Sequence, residues 1–418
     1  MRVGFIPGEG ENMSDYNCRK SACEIRVVDS EGRPVPKTVF HFGQTDHEFL
    51  FGCGAFDSIP AAGEKKDDPF YIDRMSKWMD LYNYGTMSFY WGAYEPEEGK
   101  PAFESRMNAS RLLTDHGKTV KGHPLCWHTW CADWLMKYDN KTILDMQLER
   151  IHRDVTAFKG VIDMWDVINE VVIMPVYDRY DNAITRICRQ YGQVELVKEV
   201  FTAAKAANPN ATLLINDFNL SDKYAELIAK CLDAGAPIDA IGLQTHQHQG
   251  YMGEEKLQEI IRRFEPFGLP LHFTENTLVS GELMPKHIVD LNDYQPSEWP
   301  TTPEGEERQA QELESMARLL FASPKVEAFT SWDFTDGAWL GAPSGVLTVD
   351  NRKKPAYEML RRLIHEEWHT AGEVRTDEDG RARIEGYRGS YLLSGREGTA
   401  RFRIGRNEDC EDVVVRVG

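Results

Sequence analysis

The chain has 418 residues, 41% of them hydrophobic, and carries 48 Lys+Arg against 67 Asp+Glu, a formal net charge of −19. That length supports a large core plus an accessory module, while the acidic balance repels phosphate backbones and argues against a nucleic-acid partner. No apolar run approaches the ~20 residues of a membrane span, so no membrane partner is expected.

The N-terminus, "MRVGFIPGEGENMSDYN", has no apolar h-region. It reads as the start of a cytoplasmic protein, or of a secreted one whose signal has been removed. The 8 cysteines, Cys18, Cys23, Cys53, Cys126, Cys131, Cys188, Cys231 and Cys410, are scattered without a CxxC. Cys126 and Cys131 in "CWHTWC" fit no common zinc spacing, so free buried thiols are expected, with no metal and no cofactor. Free thiols favour a reducing compartment.

"ACEIRVVDSEGRPVPKTVFHFGQTD" reads as two strands around a Gly/Pro turn. Eight continuous apolar runs follow: residues 48–56, 84–91, 119–128, 161–170, 211–219, 237–246, 269–276 and 325–334. Their unbroken hydrophobicity predicts buried parallel strands. Helical patterns lie between them, the clearest being "TILDMQLERIHRDVTAF", "YAELIAKCLDAG", with Gly235 as a cap, and "ERQAQELESMARLLFAS". Strand alternating with helix means parallel pairing, and eight strands close a (β/α)8 TIM barrel. An open doubly wound sheet is the rival, but no GxGxxG turn supports a dinucleotide fold. After the last barrel helix, "GEVRTDEDGRARIEGYRGSYLLSGREGTARFRI" reads as short strands between DG, RG and REG turns. The expected α/β organisation is an N-terminal β segment, 1–47, a barrel, 48–364, and a C-terminal β module, 365–418. The two terminal segments are expected to join into one sandwich-like module on the outside of the barrel.

Such barrels carry function at the C-terminal ends of their strands. The third strand ends at His123, Trp127 and His128, the fourth at Asn169 and Glu170, and the fifth at Asn216, Asp217 and Asn219. The sixth ends at Gln244 and His246, the seventh at Glu275 and the eighth at Trp332. Glu170 and Glu275 meet at one rim, and paired carboxylates flanking a sugar bond are the machinery of glycoside hydrolysis. Trp127 and Trp332 suit the apolar face of a sugar, and His128, Asn169, Gln244 and His246 suit its hydroxyls.

Six stretches, "GHPLCWH", "WDVINE", "LLINDFNL", "IDAIGLQTH", "HFTEN" and "SWDFTDGAWL…KKPAYEML", resemble in order those of family 10 glycoside hydrolases, the endo-β-1,4-xylanase family. The resemblance implies a (β/α)8 barrel and cleavage of β-1,4-xylosidic bonds with retention, Glu170 being the acid/base and Glu275 the nucleophile. It also implies that Asn169 holds the sugar 2-hydroxyl and His246 supports Glu275. His123, Trp127, His128, Gln244, Trp332 and Trp339 are implied to line the site. One stretch departs from the family: Thr86, Met87, Ser88, Phe89 and Tyr90 stand where it has acid, amide and lysine groups for sugars on the non-reducing side. That departure keeps another β-linked glycan or a small β-glycoside open as substrate, and a non-catalytic carbohydrate-binding barrel is the third reading.

Overall fold

The computed structural model describes residues 16–406 and 413–418. Cys410 and the first 15 residues of the expected N-terminal segment lie outside that description. The chain divides into two compact units, one of residues 1–49, 315–324 and 362–418, the other of residues 50–314 and 325–361.

The first unit starts with β1 (Lys20–Val28) and β2 (Val39–His47). The second holds β3 (Leu50–Gly54), β4 (Tyr84–Ser88), β5 (Thr119–His123), β6 (Met164–Asn169), β7 (Thr212–Asp217), β8 (Ala240–His246), β9 (Leu271–Thr277) and β10 (Val326–Ser331). The chain returns to the first unit with β11 (Ala371–Arg375), β12 (Arg381–Tyr387), β13 (Gly389–Gly395), β14 (Gly398–Ile404) and β15 (Val413–Arg416).

Strands β3 to β10 form a closed parallel barrel in sequence order, with β10 pairing back to β3. Each of the eight apolar runs supplies one strand, and each strand is shorter than the run that predicts it. β7 and β9 are buried almost throughout, as a strand covered on both faces must be. Helices fill the crossovers. Asn140–Phe158 starts where the Asp139 carboxylate accepts from the Thr142 N–H at 3.0 Å. Asp222–Asp233 is capped by Ser221 and is followed by Gly235 in a left-handed conformation.

In the first unit, β1 and β2 do not pair with each other. β1 lies between β12 and β15, and β2 lies between β11 and β13 in a sheet completed by β14. Cys23, Ile25 and Val27 of β1 share one core with Phe40 of β2, Ile384 of β12, Leu393 of β13 and Phe402 of β14. Two sheets with one shared apolar layer make a β-sandwich, assembled from both ends of the chain.

All seven described cysteines are free thiols, buried except for partly exposed Cys18.

Candidate active site

The strand ends of the barrel converge on a buried amide relay. Asn216, at the end of β7, donates from Nδ2 to Glu275 Oε1 at 2.7 Å and to Asn169 Oδ1 at 2.8 Å. Its own Oδ1 accepts from the Thr274 hydroxyl at 2.6 Å, which fixes which way the amide faces. Asn169 Oδ1 also accepts from Gln244 Nε2 at 2.9 Å, and Asn169 Nδ2 lies 3.3 Å from Glu170 Oε1. Two side-chain amides therefore join Glu170 to Glu275. Gly242 of β8 leaves the space for this relay, because a Cβ there would stand 2.4 Å from Asn216 Oδ1.

Glu170 follows β6 directly, and its backbone holds φ 57°, a conformation costly for a residue with a Cβ. Its N–H donates to the Asn216 carbonyl at 2.8 Å, which secures that turn. Trp127 Nε1 donates to Glu170 Oε2 at 2.9 Å. Burial pushes the Glu170 carboxyl up to about 8, the charges of Glu275 and Asp217 push the same way, and the Trp127 and Gln244 hydrogen bonds oppose them.

Glu275 is more deeply buried than Glu170, which on its own raises a carboxyl, yet its neighbours hold it below the usual carboxylate value. His123 Nδ1 stands 3.9 Å from Oε1, and His246 Nε2 lies 3.1 Å from Oε2. Lys121 contributes from further down β5. Both Lys121 Nζ, at 2.6 Å, and His123 Nδ1, at 2.7 Å, meet Asp166 Oδ2 inside the barrel. The two acids thus occupy opposite protonation states around neutral pH, one able to give a proton and the other ionised.

Aromatic rings wall the site. Trp332 packs edge-on to His123 at 5.3 Å and to His246 at 6.0 Å between centroids, and Trp339 lies 4.6 Å from His246. His128 is buried with its ring 4.3 Å from Tyr177, and burial pushes its pKa down to about 4. The structure therefore brings His123, Trp127, Asn169, Glu170, Gln244, His246, Glu275, Trp332 and Trp339 into one contact network, with His128 beside Trp127. Asn219 is engaged elsewhere: its Oδ1 accepts from the Ser221 N–H and hydroxyl in the turn after β7.

Sequence reasoning placed Asn216 at a strand end without giving it a task, and passed over Lys121 and Asp166. Their signal is a single charge inside each of two neighbouring apolar strands, which a buried strand tolerates only when the charges pair. Tyr90, met in the sequence as part of a departure, stands among site rings, 5.7 Å from His123 and 5.4 Å from Trp127. Among the described residues, no group of three or more His, Cys, Asp or Glu is arranged to hold a metal ion.

The family model for glycosyl hydrolase family 10 matches residues 86–363. An endo-1,4-beta-xylanase/feruloyl esterase of Xylanibacter ruminicola is 27% identical over 78% of this chain, and the match spans 47% of that relative, about half its length. Endo-1,4-beta-xylanase B of Thermotoga neapolitana is 24% identical over 66% of this chain and 78% of its own length. Among solved structures, xylanase 10B of Thermotoga petrophila in complex with xylobiose superposes with a TM-score of 0.61 at 20% identity, covering 77% of this chain and 95% of that one.

Proposed function

The chain belongs to glycosyl hydrolase family 10, and from that premise we propose that it is a retaining β-glycosidase cutting β-1,4-xylosidic bonds in xylan or xylo-oligosaccharides. In this reading Glu275 attacks the anomeric carbon while Glu170 protonates the departing glycosidic oxygen, giving a glycosyl ester on Glu275. Glu170, now ionised, then takes a proton from water as that water attacks the same carbon and releases Glu275. Asn169, oriented by Asn216 and Gln244, offers its Nδ2 to the sugar 2-hydroxyl. His246 and His123 keep Glu275 ionised, and Trp332 and Trp339 supply apolar faces to the ring.

The observation that carries this reading is the pair of carboxyls, Glu275 buried and Glu170 half-buried, bridged by two amides, with their pKa values driven in opposite directions. A mere strand-end pair of acids would lie in solvent and titrate together. The names of the relatives point to xylan as the polymer.

A second reading keeps the mechanism and changes the substrate to another β-linked glycan or a small β-glycoside. It is favoured by the end of β4, where Thr86, Met87, Ser88 and the following Phe89 are all buried and present no exposed charge. A panel of aryl β-glycosides and linear polysaccharides separates the two. Xylosides and xylan lead the panel under the first reading, and another sugar leads it under the second. Loss of all turnover in Glu275→Gln, with the same leading substrate still bound, is expected under both.

A further inference from the structure

The two acids divide the rim of the barrel into two arcs. Glu170 follows β6 and Glu275 lies on β9, with β7 and β8 between them on one side and β10, β3, β4 and β5 on the other. Over the β7–β8 arc the barrel's own connections are short. Residues 218–221 lead from β7 into the helix Asp222–Asp233, and 247–253 lead from β8 into the helix Glu254–Phe264. The connections that flank the arc are long, residues 170–182 after β6 and 278–302 after β9. Long loops beside a catalytic pair are where a barrel varies its function.

These two loops meet. Arg179 Nη1 donates to Asp290 Oδ2 at 2.5 Å, and Nη2 lies 3.0 Å from Asp293 Oδ1. Because β7 and β8 separate the strands that carry them, the loops join across that arc. Each is anchored just short of the junction. Arg189, on the helix Ala183–Tyr191, donates to the Pro175 and Tyr177 carbonyls, both at 2.8 Å. Gln249, after β8, donates to the Pro285 carbonyl at 3.0 Å and the Ile288 carbonyl at 2.8 Å. The longer loop is also continuous with the wall of the site: the Trp299 ring lies 6.1 Å from His248, whose ring lies 5.1 Å from Trp339.

At the junction itself nothing apolar holds the chain. Val289, beside Asp290, is 98% exposed, so polar ties set the position of this segment. The side chains of Arg179, Asp290 and Asp293 are 44%, 41% and 60% exposed. Ion pairs so placed are weak and are screened by salt, which suits a junction that opens and closes.

We propose that Arg179, clasping Asp290 and Asp293, closes the β7–β8 arc and limits how far a β-linked chain extends over that side of the acids. Arg179 is then a specificity-determining residue: the closed clasp favours short glycosides over long chains, and opening it relaxes the preference. This rests on the glycosidase reading above.

The test uses the full-length protein with p-nitrophenyl β-xyloside and xylohexaose. Both substrates are uncharged, so salt acts on the protein alone. The readout is the ratio of kcat/KM for xylohexaose to that for the aryl xyloside. Arg179→Glu sets three acids together, and the ratio rises about fivefold, the size of a lost exposed ion pair. Arg179→Glu/Asp290→Arg rebuilds a pair of reversed polarity and brings the ratio back. In the unaltered protein the ratio rises between low and molar salt, while in Arg179→Glu it does not rise further. A folding defect lowers both rates together and leaves the ratio untouched. A ratio that is unchanged or falls in Arg179→Glu overturns the clasp while leaving the glycosidase reading standing. A rise that the double variant does not reverse overturns the ion pair as its basis. If the unaltered protein turns over neither substrate, the glycosidase reading falls and the clasp with it.

Discussion

Asn216 holds Glu275 through a 2.7 Å hydrogen bond while Thr274 fixes the opposite end of the same amide. The placement of the Glu275 carboxylate, the nucleophile of the proposed mechanism, therefore depends on a residue that need not touch substrate. Gly242→Ala puts a methyl group 2.4 Å from Asn216 Oδ1 and must displace it. A shift of ~1 Å at a reacting carboxylate costs on the order of 10²-fold in rate. Gly242→Ala and Asn216→Ala are both expected to lose about that much in kcat with a smaller change in KM. Steady-state kinetics on one aryl glycoside checks this, and a pure KM effect would argue against positioning.

The pH dependence follows from the two carboxyls. In the proposed mechanism Glu170 acts in its protonated form, so kcat/KM is expected to fall on the alkaline side near Glu170's value of about 8. The acid limb belongs to Glu275 and is expected below the ordinary carboxylate range. Glu275→Gln removes a neighbouring negative charge, so the Glu170 pKa should drop. Carboxyl titration followed by NMR reads it directly, and an unmoved Glu170 would show that burial alone sets its value.

The same shift has a consequence for stability. Between about 4.5, the unfolded value, and about 8, the folded protein keeps the Glu170 proton that the unfolded chain releases. Stability is therefore lost as pH rises through that window. Glu170→Gln removes this contribution, so its stability relative to the parent protein should improve steadily from pH 5 to pH 8. Denaturant unfolding at several pH values tests the sign.

Lys121 and Asp166 form a fully buried ion pair in the barrel interior. Lys121→Met leaves Asp166 with only His123, and stranding a buried charge typically costs ~3–5 kcal/mol. Unfolding by urea should show a loss of that order, and Lys121→Met/Asp166→Asn should recover part of it. A loss below ~1 kcal/mol would mean that water or His123 already compensates Asp166.

The stretch Thr86 to Tyr90 bears on substrate length. Phe89 is committed to the core, 5.0 Å from Phe158 and from Trp165, and Thr86 and Met87 are fully buried. Tyr90 alone joins the site rings. Apolar contacts discriminate weakly where buried polar groups discriminate strongly, so we expect weak kcat/KM on long unsubstituted xylan compared with short or decorated β-glycosides. Rapid random internal cleavage of linear xylan would contradict this.

The barrel was legible because each of its strands is buried on both faces and reads as a short apolar run, "TLLIND" in β7 or "AIGLQTH" in β8, ending in polar residues at one rim. Glu170 and Glu275 stood out for the same reason. Long-range pairing was not legible. β1 and β2 look like neighbours around a turn, yet Cys23 pairs with Ile384 and Phe42 with Leu393. Nothing local in either strand names a partner more than 300 residues away. The amide relay was hidden likewise: a strand-end Asn is visible in sequence, but its choice of Glu275 over solvent is set by Gly242 on the adjacent β8 and Thr274 on β9, one strand further round.

The measurement that goes most directly to the central claim is the anomeric form of the first sugar released from an aryl β-xyloside, followed by proton NMR before mutarotation. Double displacement through Glu275, with Glu170 as acid and then base, predicts the β-anomer as the first product. An α-anomer appearing first would mean that water attacks directly, and Glu275 could not be the nucleophile.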